Sequence, residues 1–352
     1  MNNFKIANDY NIYILNNHTQ SNNHSDGKVV VTNNATYDNY DIGKASDISK
    51  DEATLIIGGA MDITGGTNYL GNTVITRLEN KLNYTMTNSN GITNPKIENT
   101  INFDRQKEYL KYASAKWKNI ELNGTVDLLA NELTLTGTDN ILNVFNFSGE
   151  NINDTGTTLE QITAIHFVVP ANSTVLVNIL GENITLSNHT VSFNTADITT
   201  PDSSNIVYHL CDAISINLDN ASIKGNIFAP YATLDGSSSE VNGQIIVNNL
   251  LGDITAHNYL FTGHLPEIDY CPFTDSVTNL IESVALEEKA LANIIEAEAE
   301  KINVVMNNEP DSDKILEINK TVENMINTIS NLEIVLGTKL KIAKGICCNF
   351  CK

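Results

Sequence analysis

The sequence has little positive charge and very little arginine. Arg77 and Arg105 are its two arginines, and 21 Lys and Arg stand against 42 Asp and Glu, which gives a formal net charge of −21. Such a field repels nucleic acid and anionic membranes, and two arginines leave few bidentate clamps for phosphate or carboxylate groups. We therefore expect no nucleic-acid partner.

Long apolar runs are also missing. No stretch approaches the ~18 consecutive apolar residues of a membrane-spanning helix. The opening residues, MNNFKIANDYNIYILNN, lack the basic region and apolar run of a secretory signal. We therefore expect no membrane insertion, and a chain that either stays in the cytoplasm or reaches a surface without the standard export route.

Motifs for catalysis or metal binding are scarce. The seven histidines show no HExxH or comparable spacing, so no metal or cofactor is predicted. Asp197, Asp202, Asp212 and Asp219 lie in one region, but they lack the pairing that a polysaccharide-acting enzyme requires. We expect a non-enzymatic protein, with a solenoid polysaccharide-acting enzyme as a distant alternative.

Asparagine and a recurring glycine motif dominate what is present. There are 51 Asn, and charged residues reach 18%, below the usual quarter, as in strand faces and turns. Residues 223–229 and 241–247 match each other, and residues 25–31 resemble both. Each copy has a glycine (Gly27, Gly225 or Gly243), one polar residue and three apolar residues. A spacing near 18 predicts a right-handed β-helix-like solenoid over residues 1–265, with a β-sandwich as the alternative.

One helix and several strands are predicted within this β-rich zone. The helix runs from Asp104 to Asn119, with Leu110 and Trp117 buried against the flank of the solenoid. The predicted strands are Thr54–Ile57, Thr125–Leu129, Glu132–Thr136, Ile162–Val169, Thr174–Leu180 and Ile206–Leu210.

A threonine doublet raises a separate question. Thr134-Leu135-Thr136 has the Thr-x-Thr form of a flat ice-binding face, but the doublet does not repeat at the coil spacing. Ice binding is therefore not favoured.

The C-terminal region changes period. After a linker at residues 266–276, apolar residues recur every three or four positions to residue 344, interrupted at Asn307–Ser312. This pattern predicts an antiparallel helical hairpin over residues 277–344. Two helices alone leave one apolar stripe exposed, so the hairpin is expected to pack on the body or on another chain.

Cysteines cluster at the C-terminal end. Cys347, Cys348 and Cys351 fall in a tail at residues 345–352, Cys271 lies in the linker, and Cys211 is the fifth. Adjacent cysteines are awkward partners for each other, which favours intermolecular disulfides in an oxidising exterior. A reduced, inert tail is the alternative, and three cysteines without a nearby histidine fall short of a metal site.

The β-rich zone resembles the choice-of-anchor A family of adhesin-like domains over about residues 9–266. The resemblance implies a surface-displayed, β-helical adhesive body with no catalytic residues, in which Gly27, Gly225, Gly243, His257, Asn258 and Gly263 are structural positions. It rests on an ordered set of stretches, at residues 9–15, 26–31, 56–59, 103–104, 168–178, 225–230, 242–245, 257–263 and 265–266.

The hairpin resembles a segment of spore-surface proteins of endospore-forming Firmicutes. Residues 283–302 and 317–322 carry this likeness. It implies a protein made in the mother cell and exposed on the spore surface or its appendages, with copies of itself or other spore-surface proteins as partners. Two hypotheses follow: a structural or adhesive subunit attached through the hairpin and tail, or a soluble module binding a glycan or matrix ligand, with the hairpin only capping the solenoid.

Overall fold

The fold is that of a computed structural model. It describes residues 3–45, 48–89, 94–99, 101–194, 196–197, 200–270, 274–308 and 310–350. The chain divides into two compact units, residues 1–268 and residues 269–352. We call the first the body and the second the hairpin unit.

The body is mainly β-structure, with one long helix. Its helices are α1 (Phe103–Trp117) and the short α2 (Thr200–Ser203). Its strands in chain order are β1 Ile12–Ile14, β2 His18–Ser21, β3 His24–Ser25, β4 Val29–Val31, β5 Ala35–Asp38, β6 Asp41–Ile42, β7 Ala53–Ile57, β8 Met61–Thr64, β9 Thr67–Asn68, β10 Asn72–Ile75, β11 Lys81–Tyr84, β12 Thr87–Asn88, β13 Lys96–Ile97, β14 Gly124–Leu129, β15 Glu132–Gly137, β16 Leu142–Ser148, β17 Ala164–Val168, β18 Thr174–Leu180, β19 Asn183–Ser187, β20 Thr190–Phe193, β21 Ala196–Asp197, β22 Ile206–His209, β23 Ser215–Asp219, β24 Ser222–Lys224, β25 Asn226–Asn242 and β26 Ile245–His257.

The strands stack as coils of a solenoid. The large sheet contains only parallel pairs, and antiparallel pairs occur at β14–β15 and β20–β21 of a separate five-stranded sheet. Parallel stacking of successive coils confirms the predicted β-solenoid and excludes the β-sandwich alternative, which would need antiparallel sheets. Strand β18 matches the prediction at both ends, and predicted helix Asp104–Asn119 is observed as Phe103–Trp117.

Three faces follow from the pairing. Face 1 runs through β16, β18, β22, the starts of β25 and β26, β1, β4, β7, β10 and β13. Face 2 runs through β19, β23, residues 233–237, residues 249–252, β2, β5, β8 and β11. Face 3 runs through β24, the ends of β25 and β26, β3, β6, β9 and β12.

The order of coils in space differs from their order in the sequence. Strand β1 pairs on one side with β4 and on the other with β26, the last strand of the body. The chain therefore starts in the middle of the stack and builds coils outward to β13. It then crosses by way of α1, and its later coils return to cover the open edge of the first coil.

The interior is filled by alternate residues of each strand. Ile12, Val29, Leu55, Ile227 and Ile245 are all at most 1% exposed and belong to one continuous apolar cluster. Burial of these branched side chains is the main driving force for stacking.

Asparagines explain part of the unusual composition. At the corner between faces 1 and 2, Asn16 donates to Asn249 at 3.0 Å, and Asn33 donates to Asn16 and Asn17 at 3.0 Å each. Such amide ladders satisfy the hydrogen-bonding groups of the asparagine side chains from one coil to the next. At the corner between faces 2 and 3, Asn22 and Asn39 adopt positive φ, which asparagine tolerates better than most residues.

The hairpin unit consists of two long helices, α3 (Thr274–Met306) and α4 (Ser312–Phe350). Val284 and Leu336 are 3% and 4% exposed, and Lys339 pairs with Glu287 at 2.9 Å. Helix α4 continues through Phe350, so residues 345–350, predicted as a separate tail, are helical. Among the described residues, no helix is long and apolar enough to cross a membrane.

Candidate interaction surfaces

Helix α1 covers the outer side of face 1. It begins beside Gly58, where an added Cβ would lie 2.8 Å from the Phe103 ring, and it ends where the Trp117 carbonyl accepts a 3.3 Å hydrogen bond from Asn178. Trp117 packs edge-on against Phe4 and lies 5.5 Å from Phe228 between ring centroids. Where α1 packs on it, face 1 is therefore buried on both sides.

The repeated glycines sit at corners where backbones nearly touch. A Cβ on Gly243 would lie 2.2 Å from the Gly225 carbonyl oxygen, and one on Gly27 would lie 2.2 Å from Asn258 Oδ1. Gly225 also has a φ of +143°. The three motif copies lead into β25, β26 and β4, which occupy equivalent positions on face 1. Strand β1 lies between β26, which follows Gly243, and β4, which follows Gly27.

Two buried amides join the first coil to the last. Asn11 donates to the carbonyls of Gly243 and His257, both at 2.9 Å. The Gln244 amide nitrogen donates to the carbonyls of Ala7, Asn8 and Tyr10 at 3.1, 3.1 and 2.7 Å. Both side chains are fully buried, and each bonds to backbone carbonyls from a distant part of the chain, so together they fix the joint.

The segment after the last coil is tied to the beginning of the chain. Gly263 accepts a 3.1 Å hydrogen bond from the Asn3 side chain, and the Leu265 amide donates to Asn3 Oδ1 at 3.3 Å. The Phe261 amide donates to the Gln244 side-chain oxygen at 3.1 Å. The two ends of the body therefore meet at one place.

His257 belongs to a mixed-charge network on face 3. Its Nδ1 lies 2.9 Å from Asp26 and its Nε2 lies 3.6 Å from Glu240. A hydrogen bond from Ser222 is the main cause that lowers the pKa of Glu240 to about 2, with help from Lys224. His24, 3.4 Å from Asp26, has a pKa lowered by burial and by Lys44. Over the part of the chain described, no cluster of three ligating groups suited to a metal ion occurs.

Two other histidines are fully buried. His209 lies between Ser114, at 2.7 Å from Nε2, and Asn178, at 2.6 Å from Nδ1, and it stacks on Phe228. His18 lies 2.7 Å from the Tyr37 hydroxyl. Burial lowers the pKa of each to about 3, so both are neutral near pH 7. They serve as polar core groups.

Most of the cysteines predicted to form crosslinks lie where no side chain is described. Cys271 and Cys351 lie outside the described residues, and Cys347 and Cys348 lie in α4 where only the backbone is given. Cys211 is a buried free thiol, and burial raises its pKa to about 11. The thiolate form needed for disulfide exchange is therefore disfavoured at Cys211.

Of the carboxylates considered for catalysis, Asp212 and Asp219 have described side chains and lie apart. Asp212 is paired with Lys118 at 2.6 Å beside the end of α1, whereas Asp219 lies exposed at the end of β23 on face 2. Asp202 lies in α2, and the side chain of Asp197 is not described.

The threonine doublet is not extended across coils. Thr134 pairs in register with His166, which pairs with Ser192, and Thr136 pairs with Val168. The neighbouring coils therefore replace threonine by residues of different shape and charge.

Face 2 is an open, polar surface. Its outward positions include Thr19, Thr36, Asp38, Asp62 and Asp235, and none of the strand segments from β19 to β8 on this face carries Lys or Arg. A shallow groove crosses it where Gly236 and Gly252 leave space beside Ser21 and Thr64. Sequence reasoning did not find this surface because its residues come from distant stretches of chain. The signal available in the sequence was the alternation, along each strand, of outward acidic or polar residues with buried residues.

The family comparison matches most of the chain. Residues 3–258 match the family described as "Putative Ice-binding-like adhesive domain". Residues 272–347 match the alpha-helical endospore appendage domain. These matches confirm both resemblances drawn from the sequence, to an adhesin-like domain and to a spore-surface helical segment.

Solved structures with related folds are distant. An ice-binding protein from the Antarctic ascomycete Antarctomyces psychrotrophicus is 11% identical, with 72% of this chain and 96% of that chain covered and a TM-score of 0.36. A glycosylated ice-binding protein from an Arctic yeast is 12% identical, with 75% and 95% covered and a TM-score of 0.35. At these values the likeness does not indicate what the present chain binds.

The comparison with curated proteins gave no match. The family match alone spans well over half of the chain and coincides with the stacked coils of the body. The chain therefore belongs, through its β-solenoid body, to the ice-binding-like adhesive domain family.

Proposed function

We propose that this chain is a non-enzymatic adhesive and structural subunit of the spore surface or its appendages. The hairpin unit attaches the chain, and the β-solenoid is displayed. One observation carries the proposal: an adhesive-type body and an endospore appendage domain follow each other in one chain, at residues 3–258 and 272–347.

The composition of each unit supports this division of labour. The body presents polar faces 2 and 3, whereas the hairpin unit exposes many apolar side chains, among them Leu286, Val304 and Leu316 at 69%, 62% and 69%. Exposed apolar stripes on helices are typical of surfaces that pack against a partner. We propose copies of this chain or other spore-surface proteins as those partners.

The cysteines near the C-terminus belong to the same proposal. Cys347, Cys348 and Cys351, with Cys271 as a further candidate, would crosslink subunits once the spore is exposed to an oxidising exterior. This part rests on the sequence alone.

Immunogold electron microscopy of spores tests the attachment role. Cells that express the full chain during sporulation are compared with cells expressing a chain without residues 269–352, using an antibody raised against the body. We expect gold on spores or appendages with the full chain and none with the truncated chain. Equal labelling of both would refute attachment through the hairpin unit.

A second candidate is a soluble module that binds a glycan or matrix ligand. The outward Thr19 and Thr36 hydroxyls on face 2 line the groove, where sugar hydroxyls would find donors and acceptors. Glycan-array binding by the full chain, together with absence of label on spores, would favour this second function over the first.

A further inference from the structure

The two helices of the hairpin unit meet along a narrow apolar seam. Helices α3 and α4 are joined by residues 307–311, and Lys339 near the end of α4 pairs with Glu287 in the first half of α3 at 2.9 Å, so the helices run in opposite directions. Val284 of α3 and Leu336 of α4 are buried in the seam. On the same sides of their helices, Leu291, Ile302 and Val322 are partly buried.

A second apolar row runs beside the seam on both helices. Four large apolar side chains each lie four positions after a seam residue and are between 39% and 55% exposed. They are Ile295 and Met306 of α3, after Leu291 and Ile302, and Ile326 and Leu340 of α4, after Val322 and Leu336. We call these four residues the flank row.

The flank row forms one face of the hairpin unit. Four residues turn a helix by about 40° beyond a full turn. Because α3 and α4 run in opposite directions, the same turn along each chain displaces both parts of the row to the same side of the pair. Gly337 lies on this side of α4, and a Cβ added to it would meet no atom within 4 Å. The face therefore has room for another helix.

The seam and the flank row together are broader than a two-helix contact requires. A seam at positions a and d of a seven-residue repeat is enough for two helices, whereas an added apolar position e is typical of helices that pack on two neighbours in a bundle. The pattern therefore indicates that two further helices cover the flank row, as in a four-helix bundle.

The area of this face fits a second hairpin unit. Helix α3 has 33 residues, which extend over about 50 Å at ~1.5 Å per residue. Two helices about 10 Å apart present a face roughly 20 Å wide. Each copy would then cover about 1,000 Å², and the two copies together about 2,000 Å², more than the ~1,600 Å² of a standard stable interface. A second copy also brings both missing helices in one piece.

Charge selects the orientation of the second copy. Residues 291–331, around the connection between the helices, hold eight Asp and Glu and three Lys, a net charge of −5. Residues 274–290 and 332–350, at the other end, hold five acidic and four basic residues, a net charge of −1. Parallel copies would place the two acidic ends side by side, whereas antiparallel copies place each acidic end beside the end that carries Lys339 and Lys341.

We propose that the hairpin units of two chains pair through their flank rows, antiparallel and related by a two-fold axis, as a four-helix bundle. The inference rests on the proposed attachment function and names a second copy as the partner of the hairpin unit. The two α4 C-termini then lie at opposite ends of the bundle, about 50 Å apart. Disulfides through Cys347 and Cys348 would therefore join one pair to the next and not close within a pair.

Subunit mass gives the first test. We expect the full chain, kept reduced with dithiothreitol, to sediment at micromolar concentration as a dimer of the 38.5 kDa chain. Ile295→Glu together with Ile326→Glu places charges in the centre of the bundle, where an unpaired charge is strongly unfavourable. This variant should weaken the dimer at least about a hundredfold. A wild-type chain that stays monomeric up to millimolar concentration overturns the proposal.

A matched control separates pairing from added charge. Val304 and Val335 lie nine residues from Ile295 and Ile326, or about 180° around each helix, and they are 62% and 50% exposed. Val304→Glu together with Val335→Glu adds the same charge and should remain dimeric. Helical circular dichroism should be unchanged in both double variants. Equal weakening of the dimer in both overturns the flank row as the interface.

Spin labels test the orientation without altering the flank row. Every cysteine except the buried Cys211 is replaced by serine, and a label is placed at exposed Glu282 (E282C) or exposed Glu300 (E300C). In an antiparallel pair unlike labels lie level with each other, whereas like labels are about 27 Å apart along the bundle at ~1.5 Å per residue. Double electron–electron resonance of a mixture should show a short distance that neither labelled chain shows alone. A short distance in each chain alone, and none added by mixing, overturns the proposal.

Spore labelling separates this inference from the proposed function. A chain that is monomeric in solution but labels spores overturns the pairing and keeps attachment, through a different partner. A chain that forms the antiparallel dimer but does not label spores supports the pairing and refutes attachment.

Discussion

The side-chain amide of Gln244 in the last coil donates a 2.7 Å hydrogen bond to the backbone carbonyl of Tyr10, just before the first coil. With its bonds to Ala7 and Asn8, this residue joins two ends of the sequence inside a stack of parallel coils. The joint at β1 and β26 is the feature on which the body's topology depends.

The joint is expected to be sensitive to loss of this amide. Gln244→Ala removes three hydrogen bonds to backbone carbonyls and the one that its side-chain oxygen accepts from the Phe261 amide, and a buried group left unsatisfied costs about 1–3 kcal/mol. We expect the free energy of unfolding to fall by about 3 kcal/mol, measured by urea denaturation. Asn83→Ala, at an exposed position of β11, should change it by less than about 0.5 kcal/mol. Equal effects at the two positions would contradict the assigned role of Gln244.

Gly243 is expected to tolerate no side chain. In Gly243→Ala the new Cβ meets the Gly225 carbonyl oxygen at 2.2 Å, so two stacked corners must separate. We expect a loss of about 3 kcal/mol. Gly156→Ala is the matched control, because Gly156 has a φ of +81° but no atom within 4 Å of the added Cβ; it should lose only about 1–2 kcal/mol through backbone strain. Thermal denaturation checks this prediction, because the melting temperature of Gly243→Ala should be lower than that of Gly156→Ala.

Buried His209 should make the body less stable in acid. Its pKa is lowered to about 3 in the folded chain, against 6.5 for the ordinary group, by burial and by Lys118. Between these values the unfolded chain binds the extra proton, so stability falls as pH falls, by at most about 1.4 kcal/mol per pH unit. The contribution of His209 stops varying only about one pH unit above 6.5, where the unfolded chain no longer binds the proton.

Substitution isolates this effect. From pH 6.5 to 4.5, His209→Gln should lose up to about 2.7 kcal/mol less stability than the wild type. Asn83→Ala, which removes no titratable group, should follow the wild-type slope. Urea denaturation at the two pH values gives the slope of stability against pH for each protein. Identical slopes for His209→Gln and the wild type would contradict the assigned role of His209.

The interior of the hairpin unit is expected to determine attachment. Val284→Asp places a charge where the side chain is 3% exposed, whereas Leu286→Asp places it at a site that is 69% exposed. Burial of an unpaired charge is strongly unfavourable. We expect Val284→Asp to reduce helical circular dichroism and spore labelling, and Leu286→Asp to retain its helix content. Normal labelling with Val284→Asp would show that attachment does not need a paired hairpin.

The C-terminal cysteines are expected to crosslink subunits. Spore extracts run on SDS gels without reductant should show a ladder that collapses to monomer with reductant and that is lost in the C347S, C348S and C351S triple variant. Cys211→Ala should keep the ladder, because the thiol of Cys211 is buried and its pKa is raised to about 11. Monomer in both lanes of wild-type material would argue for an inert tail.

Local structure was readable from sequence because its causes are local. The glycine corners, the strand Thr174–Leu180 and the helix with Leu110 and Trp117 on its buried side all depend on the chemistry of a few adjacent residues. The period of the C-terminal apolar residues likewise predicted the hairpin, although α4 extends to Phe350, past the predicted end at residue 344.

What the sequence by itself determined is therefore a β-solenoid body with a flanking helix and a helical hairpin. The tertiary structure alone decided the order of the coils and the surfaces they create. The first coil has two open edges, and only the stacking of distant segments, fixed by Asn11 and Gln244, determines that β26 covers one of them. The acidic character of face 2 arises in the same way, because Asp38 and Asp235 share a face only after the late coils return to the first.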